Sequence, residues 1–351
     1  MGILYMLIAI VFMVFTHELG HFMFAKLFGV GVHVFSLGFG PKVLGFKKGE
    51  TEYKLCMIPL GGYVKLEGDD PELNPRPDKS FNLKPKWEKA IIIAGGVAMN
   101  FICAILLIAF VNWYGMPALA PVIGKTVEGM PAYDKLEPGD RILEVNGTSV
   151  RTWDEATKVI METPESGSIL LKVERKGETL EVGLKPKLVI AKNLFGENVK
   201  VSAIGVEPDL KAVFIMKRGL TDAAVKGIKD SLLMTKLTAV GLWKMVTGGI
   251  SAKDNLGGPI MIVSLGNQFA KQGITSLTLF VAIILINLVI INLIPLPILD
   301  GGLLLLLAIE ATRGKPLNEK LVAILQNISW LLIISLIFFV FYLDFSRLLK
   351  R

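Results

Sequence analysis

Four long apolar stretches divide the chain: Ile3–Phe28, Ala90–Tyr114, Leu277–Leu299 and Ile328–Leu343, the last being the shortest. About 20 apolar residues suffice to cross a bilayer as a helix, so each predicts a membrane span. Between the second and third stretches the pattern changes. From Pro121, apolar and polar residues alternate over short runs: Val122–Val127, then Pro138-Gly139-Asp140-Arg141-Ile142-Leu143-Glu144-Val145-Asn146-Gly147. Asn-Gly after an alternating run signals a hairpin. Trp153–Thr163 predicts a helix, and Leu170–Arg175 and Thr179–Leu184 predict strands around the Lys176-Gly177 turn. Leu220–Val246 returns to helical spacing with Lys226, Lys229, Lys236 and Lys244 interspersed, which predicts an interfacial amphipathic helix. The fold class expected is a polytopic α-helical membrane protein, with about four transmembrane helices and an inserted α+β domain.

Composition agrees. The 351 residues are 52% hydrophobic, and a mean hydropathy of +0.56 excludes an ordinary soluble protein while leaving room for a polar domain. The first stretch lacks a basic leader and a small-residue cleavage site, and holds histidine and glutamate in its core, so it reads as a retained span. The net charge of +7 comes from dispersed lysines without interleaved aromatics, which argues against nucleic acid. Basic residues concentrate in the segments after the first and third spans, which places both in the cytoplasm and the amino terminus and inserted domain outside. Arg347, Lys350 and Arg351 run against that assignment. Cys56 and Cys103 suggest neither a disulfide framework nor a thiolate metal site.

Within the first stretch the chain reads Phe15-Thr16-His17-Glu18-Leu19-Gly20-His21-Phe22. Helical residues four apart share a face, so His17 and His21 can present neutral nitrogens to one Zn²⁺ while Glu18 serves as general base. The same pentapeptide pattern occurs by chance on soluble helices. Here each ionisable residue at membrane depth costs about 3 kcal/mol on insertion scales, so the group needs a compensating cation. His33 reads as a loop or interfacial histidine.

Catalytic zinc usually takes three protein ligands and keeps one position open. Asn292-Leu293-Ile294-Pro295-Leu296-Pro297-Ile298-Leu299-Asp300-Gly301-Gly302 interrupts an apolar run with two prolines and delivers an aspartate. Such irregular backbone at membrane depth is tolerated only against protein or a water-filled cavity. Asp300 could alternatively cap the helix expected over Leu303–Ala311; an unfilled zinc position favours the ligand reading. His17 lies about 24 Å along its helix, near the cytoplasmic boundary, and the third span runs inward to bring Asp300 to the same depth.

Together, His17-Glu18-Leu19-Gly20-His21 and Asn292–Gly302 resemble the site-2 protease family of intramembrane zinc metalloproteases, specifically the bacterial sigma-regulating type (peptidase family M50) with an inserted PDZ domain. Leu299-Asp300-Gly301 matches the family's Leu-Asp-Gly motif, and Asn292, Pro295 and Pro297 its upstream Asn-x-x-Pro-x-Pro. Gly61-Gly62-Tyr63-Val64-Lys65 resembles the family's membrane-associated β-hairpin. Two departures stand out: Val97 replaces the proline of Gly-Pro-x-x-Asn in Gly96–Asn100, and Leu303 stands where a polar residue is common. Neither position ligates metal. Gly257–Pro259 also recurs in the family. The segment from Pro121 to about Lys187 resembles a single PDZ unit.

The resemblance implies a zinc metalloendopeptidase that cleaves transmembrane segments of single-span proteins, such as trimmed anti-sigma factors or remnant signal peptides. It implies a multi-pass protein of the bacterial cytoplasmic membrane, with the active site facing the cytoplasm and the PDZ domain outside. It further implies Zn²⁺ held by His17, His21 and Asp300, a substrate or oxyanion role for Asn292 and Pro297, and substrate binding by Gly61, Gly62, Tyr63 and Val64. Asn292 could instead make an interhelical hydrogen bond. The PDZ domain could bind a peptide or carboxy terminus by β-augmentation, exclude bulky substrates, or act as a spacer. The domains expected are span one with the metal motif (1–28), a cytoplasmic loop with the hairpin (29–89), span two (90–114), PDZ (115–205), an interfacial segment (206–276), span three (277–310), a cytoplasmic loop (311–327), and span four with a tail (328–351). The rival reading is a PDZ-bearing scaffold or metal transporter with a non-catalytic zinc site. A transporter would be expected to spread its ionisable residues along a path, and these cluster at one depth.

Overall fold

The computed structural model describes residues 2–68 and 76–349, so the expected tail charges Lys350 and Arg351 lie outside the described residues. The chain forms two compact units, Met1–Trp113 with Gly219–Arg351, and Tyr114–Arg218. The first begins with helix α1 (Gly2–Leu27), strands β1 (Val32–Lys48) and β2 (Thr51–Leu66), a 3₁₀ turn at Phe81–Leu83, and α2 (Lys86–Tyr114). β1 and β2 fold over one another. Val34 pairs with both Lys65 and Glu52, and Leu37 with both Gly62 and Leu55, while Leu44 to Lys48 pair with Leu55 to Thr51. Segment 62–66 is thus the outermost rung on one side of segment 32–37. The distal part of the sheet exposes Val43, Leu44, Phe46, Met57 and Ile58, an apolar patch suited to lipid rather than water.

The second unit comprises β3 (Met116–Leu119), β4 (Ile123–Thr126), β5 (Arg141–Val145), β6 (Thr148–Ser149), α3 (Trp153–Glu162), β7 (Ile169–Arg175), β8 (Glu178–Leu184), β9 (Lys187–Lys192), β10 (Asn198–Ala203), β11 (Val206–Pro208) and β12 (Val213–Met216). Its main sheet has the antiparallel order β6-β5-β7-β8. Both turns read from sequence lie here. Asn146 and Gly147, and likewise Lys176 and Gly177, have positive φ, as two-residue hairpin turns require. Thr152 caps α3 by accepting from the Glu155 amide at 3.2 Å. Ile142, Val145, Ile160, Leu171, Val173 and Leu184 close an aliphatic core. The unit extends past the expected limit of residue 205, because β11 pairs with β4 and β12 with β3.

The chain then returns through α4 (Leu220–Val246), α5 (Ala252–Asn255), α6 (Pro259–Lys271), α7 (Ile274–Asn292), α8 (Asp300–Arg313) and α9 (Glu319–Leu349). Four helices among the described residues are long and apolar enough to cross a membrane: α1, α2, α7 and α9. The third span ends at Asn292, not Leu299, because the prolines that follow cannot continue the helix. The fourth is the longest rather than the shortest, at 31 residues, since polar flanks around an apolar core remain good helix formers. The expected interfacial segment 206–276 is divided at Gly219, its first residues belonging to the inserted unit. A Cβ on Gly227 of α4 would stand 2.9 Å from Ala109 Cβ of α2, and Thr238 donates to Asn287 of α7 at 3.2 Å. α4 is therefore a packed helix of the bundle, whose buried stripe of Ala223, Gly227 and Ser231 is the small-residue face that close helix packing favours.

Candidate active site

Three glycines let α1 and α2 cross at backbone contact. A Cβ on Gly20 would overlap the Gly95 carbonyl, and one on Gly95 would stand 2.8 Å from the Gly20 oxygen. One helical residue on, a Cβ on Gly96 would collide with His21 Nε2 and stand 2.7 Å from His17 Cε1. Both imidazoles are therefore pressed into the seam between the helices. His21 Nδ1 lies 2.9 Å from the Ile92 carbonyl of α2, which assigns the proton to Nδ1 and leaves the Nε2 lone pair facing the cluster.

Asp300 enters from the opposite side. A Cβ on Gly301 would overlap the Leu293 carbonyl, and one on Gly302 the Leu296 carbonyl. The two glycines thus allow the first turn of α8 to fold tightly onto the 293–299 connection. The N-cap of α8 is Leu299, with no side-chain capping bond, so Asp300 does not serve as the cap weighed above. Its carboxylate turns to the histidines: Oδ2 is 3.4 Å from His17 Nε2 and Oδ1 is 3.6 Å from His21 Nε2. The two Nε2 atoms are 3.3 Å apart. Ligands 2.0–2.1 Å from a tetrahedral zinc are separated by roughly 3.3–3.5 Å, so the Nε2–Nε2 spacing matches one edge of such a tetrahedron, and each nitrogen has one carboxylate oxygen near that distance. Asp300 Oδ2 and His17 Nδ1 are buried without hydrogen-bond partners, and a cation would satisfy the former. Among the described residues, His17, His21 and Asp300 form the group able to hold a metal ion. Glu18 stays beside it, 7% exposed.

The sheet reaches the same place. A Cβ on Gly62 would stand 2.8 Å from Glu18 Cγ and 2.9 Å from Val14 Cγ1, so the chain at Gly62 runs directly over the stem of Glu18. Gly61 has φ +104 beside the Phe39 ring, and Tyr63 stacks on that ring at 6.1 Å. Val64 lines a cavity of about 400 Å³ that includes His21, Asp300, Ile92, Leu303, Leu307 and Glu310. The base of the sheet is tied down by charge. Glu50 meets Lys26 at 2.6 Å, Arg76 at 2.9 Å and Lys79 at 3.1 Å, and their hydrogen bonds hold its carboxyl down at about 2. His33 is 3.3 Å from Glu67 in the neighbouring network, apart from the metal cluster. Asn292 ends α7 half-buried, and Pro297 lies in the connection against which Gly302 packs.

Several contributors escape the motif reading. Ile92 orients a histidine through its backbone, and no side-chain pattern announces that. Gly95-Gly96 in an apolar run was the available signal for the helix crossing. Asn100 is buried at 1% exposure, accepts from Thr16 Oγ1 at 2.8 Å, and ties α1 to α2 next to the site. Gly258 and Pro259 open α6, where Asp344 of α9 accepts from the Gly258 and Ile260 amides at 3.0 and 2.9 Å. That sequence motif is a helix anchor.

Residues 5–336 match the description of peptidase family M50. A Campylobacter jejuni protein designated a zinc metalloprotease is 34% identical over 349 residues, covering 97% of this chain and 92% of its own. The regulator of sigma-W protease RasP of Bacillus subtilis is 29% identical over 417 residues, 96% of each chain. A solved PDZ domain from an SdrC-like protein of Listeria monocytogenes covers 25% of this chain and 84% of its own, at 18% identity and a TM-score of 0.21. The family match extends from α1 into α9 and so spans every segment that builds the cradle of imidazoles and carboxylate; the chain belongs to peptidase family M50 and is a membrane-embedded zinc metalloprotease.

Proposed function

We propose that the protein hydrolyses peptide bonds within transmembrane segments of single-span membrane proteins, with His17, His21 and Asp300 holding zinc and Glu18 as general base. The observation that carries this reading is the convergence of the two imidazole Nε2 atoms, 3.3 Å apart, on the Asp300 carboxylate, whose oxygens stand 3.4 and 3.6 Å from them, with Glu18 adjoining on the same helix. Zinc in such a site supplies Lewis acidity and an acidified water. Glu18 takes the proton as water attacks the scissile carbonyl and returns it to the departing nitrogen. The half-buried amide of Asn292, which has no hydrogen-bond partner among the described residues, is the donor available to substrate backbone or a developing oxyanion, and Pro297 shapes the connection beside it.

A helical substrate must unwind before its backbone can be attacked. Gly61–Val64, lying across Glu18, offers an extended template for strand addition, and the adjoining cavity offers room for a side chain. The distribution of basic residues supports an active site opening to the cytoplasm and the inserted unit outside, in a bacterial cytoplasmic membrane. The name of the Bacillus subtilis relative supports a regulator of a sigma factor as substrate. The inserted unit either receives a new carboxy terminus or excludes untrimmed proteins.

In nanodiscs with a single-span substrate, Glu18→Gln is expected to keep bound zinc and lose cleavage by about 10²–10⁴-fold, whereas His21→Ala loses both. Substantial turnover by Glu18→Gln would overturn the base assignment.

A further inference from the structure

The inserted unit carries a second, separate hairpin, β9–β10, whose pairing runs regularly from Lys187 with Ala203 to Lys192 with Asn198. Alternation along the strands gives it two faces. Val189, Ala191, Val199 and Val201 on one face are half-buried. The other turns Leu188, Ile190, Lys192, Asn198 and Lys200 outward. Ile190 is 71% exposed, Leu188 is 42% exposed, and Leu194 at the tip is 84% exposed. No carboxylate stands on this face. Glu197, the single acidic residue between 187 and 203, belongs to the opposite parity, where Asn193 donates to it at 2.8 Å.

Large apolar side chains this exposed mark an interaction surface. Leucine and isoleucine flanked by lysines and free of acids suit an anionic lipid surface, where apolar groups enter the headgroup boundary and lysines meet phosphate. The unit is joined at Tyr114 to the end of α2, a helix long enough to span a bilayer. A hairpin of six-residue strands extends about 20 Å. We infer that β9–β10 is a membrane-surface contact: Leu194 and Ile190 seat at the headgroup boundary of an anionic phospholipid bilayer, with Lys192 and Lys200 on its phosphates. The contact would hold the inserted unit at the membrane, whatever that unit's role toward substrate.

The test uses the full-length, zinc-loaded protein in nanodiscs, with Cys56 and Cys103 replaced by alanine. A fluorophore is attached in turn at Leu194→Cys, Ile190→Cys and, as an exposed control at the β7–β8 turn, Glu178→Cys. Lipids bearing a headgroup nitroxide should quench the labels at 194 and 190 well beyond the control in phosphatidylglycerol nanodiscs. Lys192→Gln with Lys200→Gln should reduce that excess, each lysine counting for about fivefold in surface partitioning at low salt. Equal quenching at all three positions would overturn the proposal. So would an excess that persists unchanged in phosphatidylcholine, or labels that are shielded by protein cross-linking rather than by lipid.

Discussion

The two units of this protein achieve close packing by opposite means. The inserted unit buries an aliphatic core around Ile142, Leu171 and Val173, each at 1% exposure or less, and draws its stability from removing apolar surface from water. The membrane unit gains little that way, because lipid is as apolar as leucine. Its contacts depend on missing side chains: Gly20 and Gly95 at one crossing, Gly227 against Ala109 at another, Gly266 against Met6 at a third. Polar pairs such as Thr16 with Asn100 and Thr238 with Asn287 add specificity. Adding atoms should therefore damage one unit, and removing them should damage the other.

The largest expected effect follows from adding atoms. Gly96→Val would drive a side chain into both imidazoles, and is expected to abolish zinc binding, measured by metal analysis of the purified protein, along with cleavage. Near-stoichiometric zinc in that variant would break the comparison. Removing atoms from the inserted core comes next. Leu171→Ala should destabilise that unit by about 2–5 kcal/mol, read by hydrogen exchange of its strands, while zinc content stays unchanged.

A smaller effect concerns charge. Arg175 donates to both oxygens of Asp140 at 2.7 Å. Burial alone would raise the Asp140 carboxyl, but Arg175 and the Glu137 amide outweigh it and hold the group below its ordinary value. The stabilisation is accordingly complete above the unfolded carboxyl's pKa, near 3.9, and is lost as pH falls through the lower folded value. Asp140→Asn should cost about 1–3 kcal/mol at neutral pH and flatten that acid dependence in hydrogen exchange of the unit. The smallest effect is at the surface: Lys158→Ala, which removes an exposed pair with Glu162 at 3.9 Å, should shift stability by less than about 0.5 kcal/mol. A larger loss would mean that the ion pair matters more than its exposure implies.

Legibility followed the same division. The helix over Leu220–Val246 has the limits its spacing suggests, and the Asn146-Gly147 and Lys176-Gly177 turns fall where their residue types require, since these depend on nearby residues alone. The packed role of α4, the extra strands β11 and β12, and the end of the third span at Asn292 differ from expectation, because neighbours distant in sequence decide them. Histidine spacing and the Asp-Gly-Gly sequence disclosed candidate ligands for the same reason that turns were legible: each is a local arrangement of chemistry on backbone.

By itself, the sequence determined that this chain has apolar stretches, an alternating insertion, and candidate metal ligands far apart in the chain, His17 with His21 and then Asp300. Only the tertiary structure decided that His17, His21 and Asp300 stand at zinc-ligand spacing, that Ile92 orients an imidazole, and that Gly62 crosses over Glu18. Periodicity and hydropathy act over a few residues, whereas a site assembled across nearly 300 positions depends on how closely backbones can approach, and here glycines set that limit.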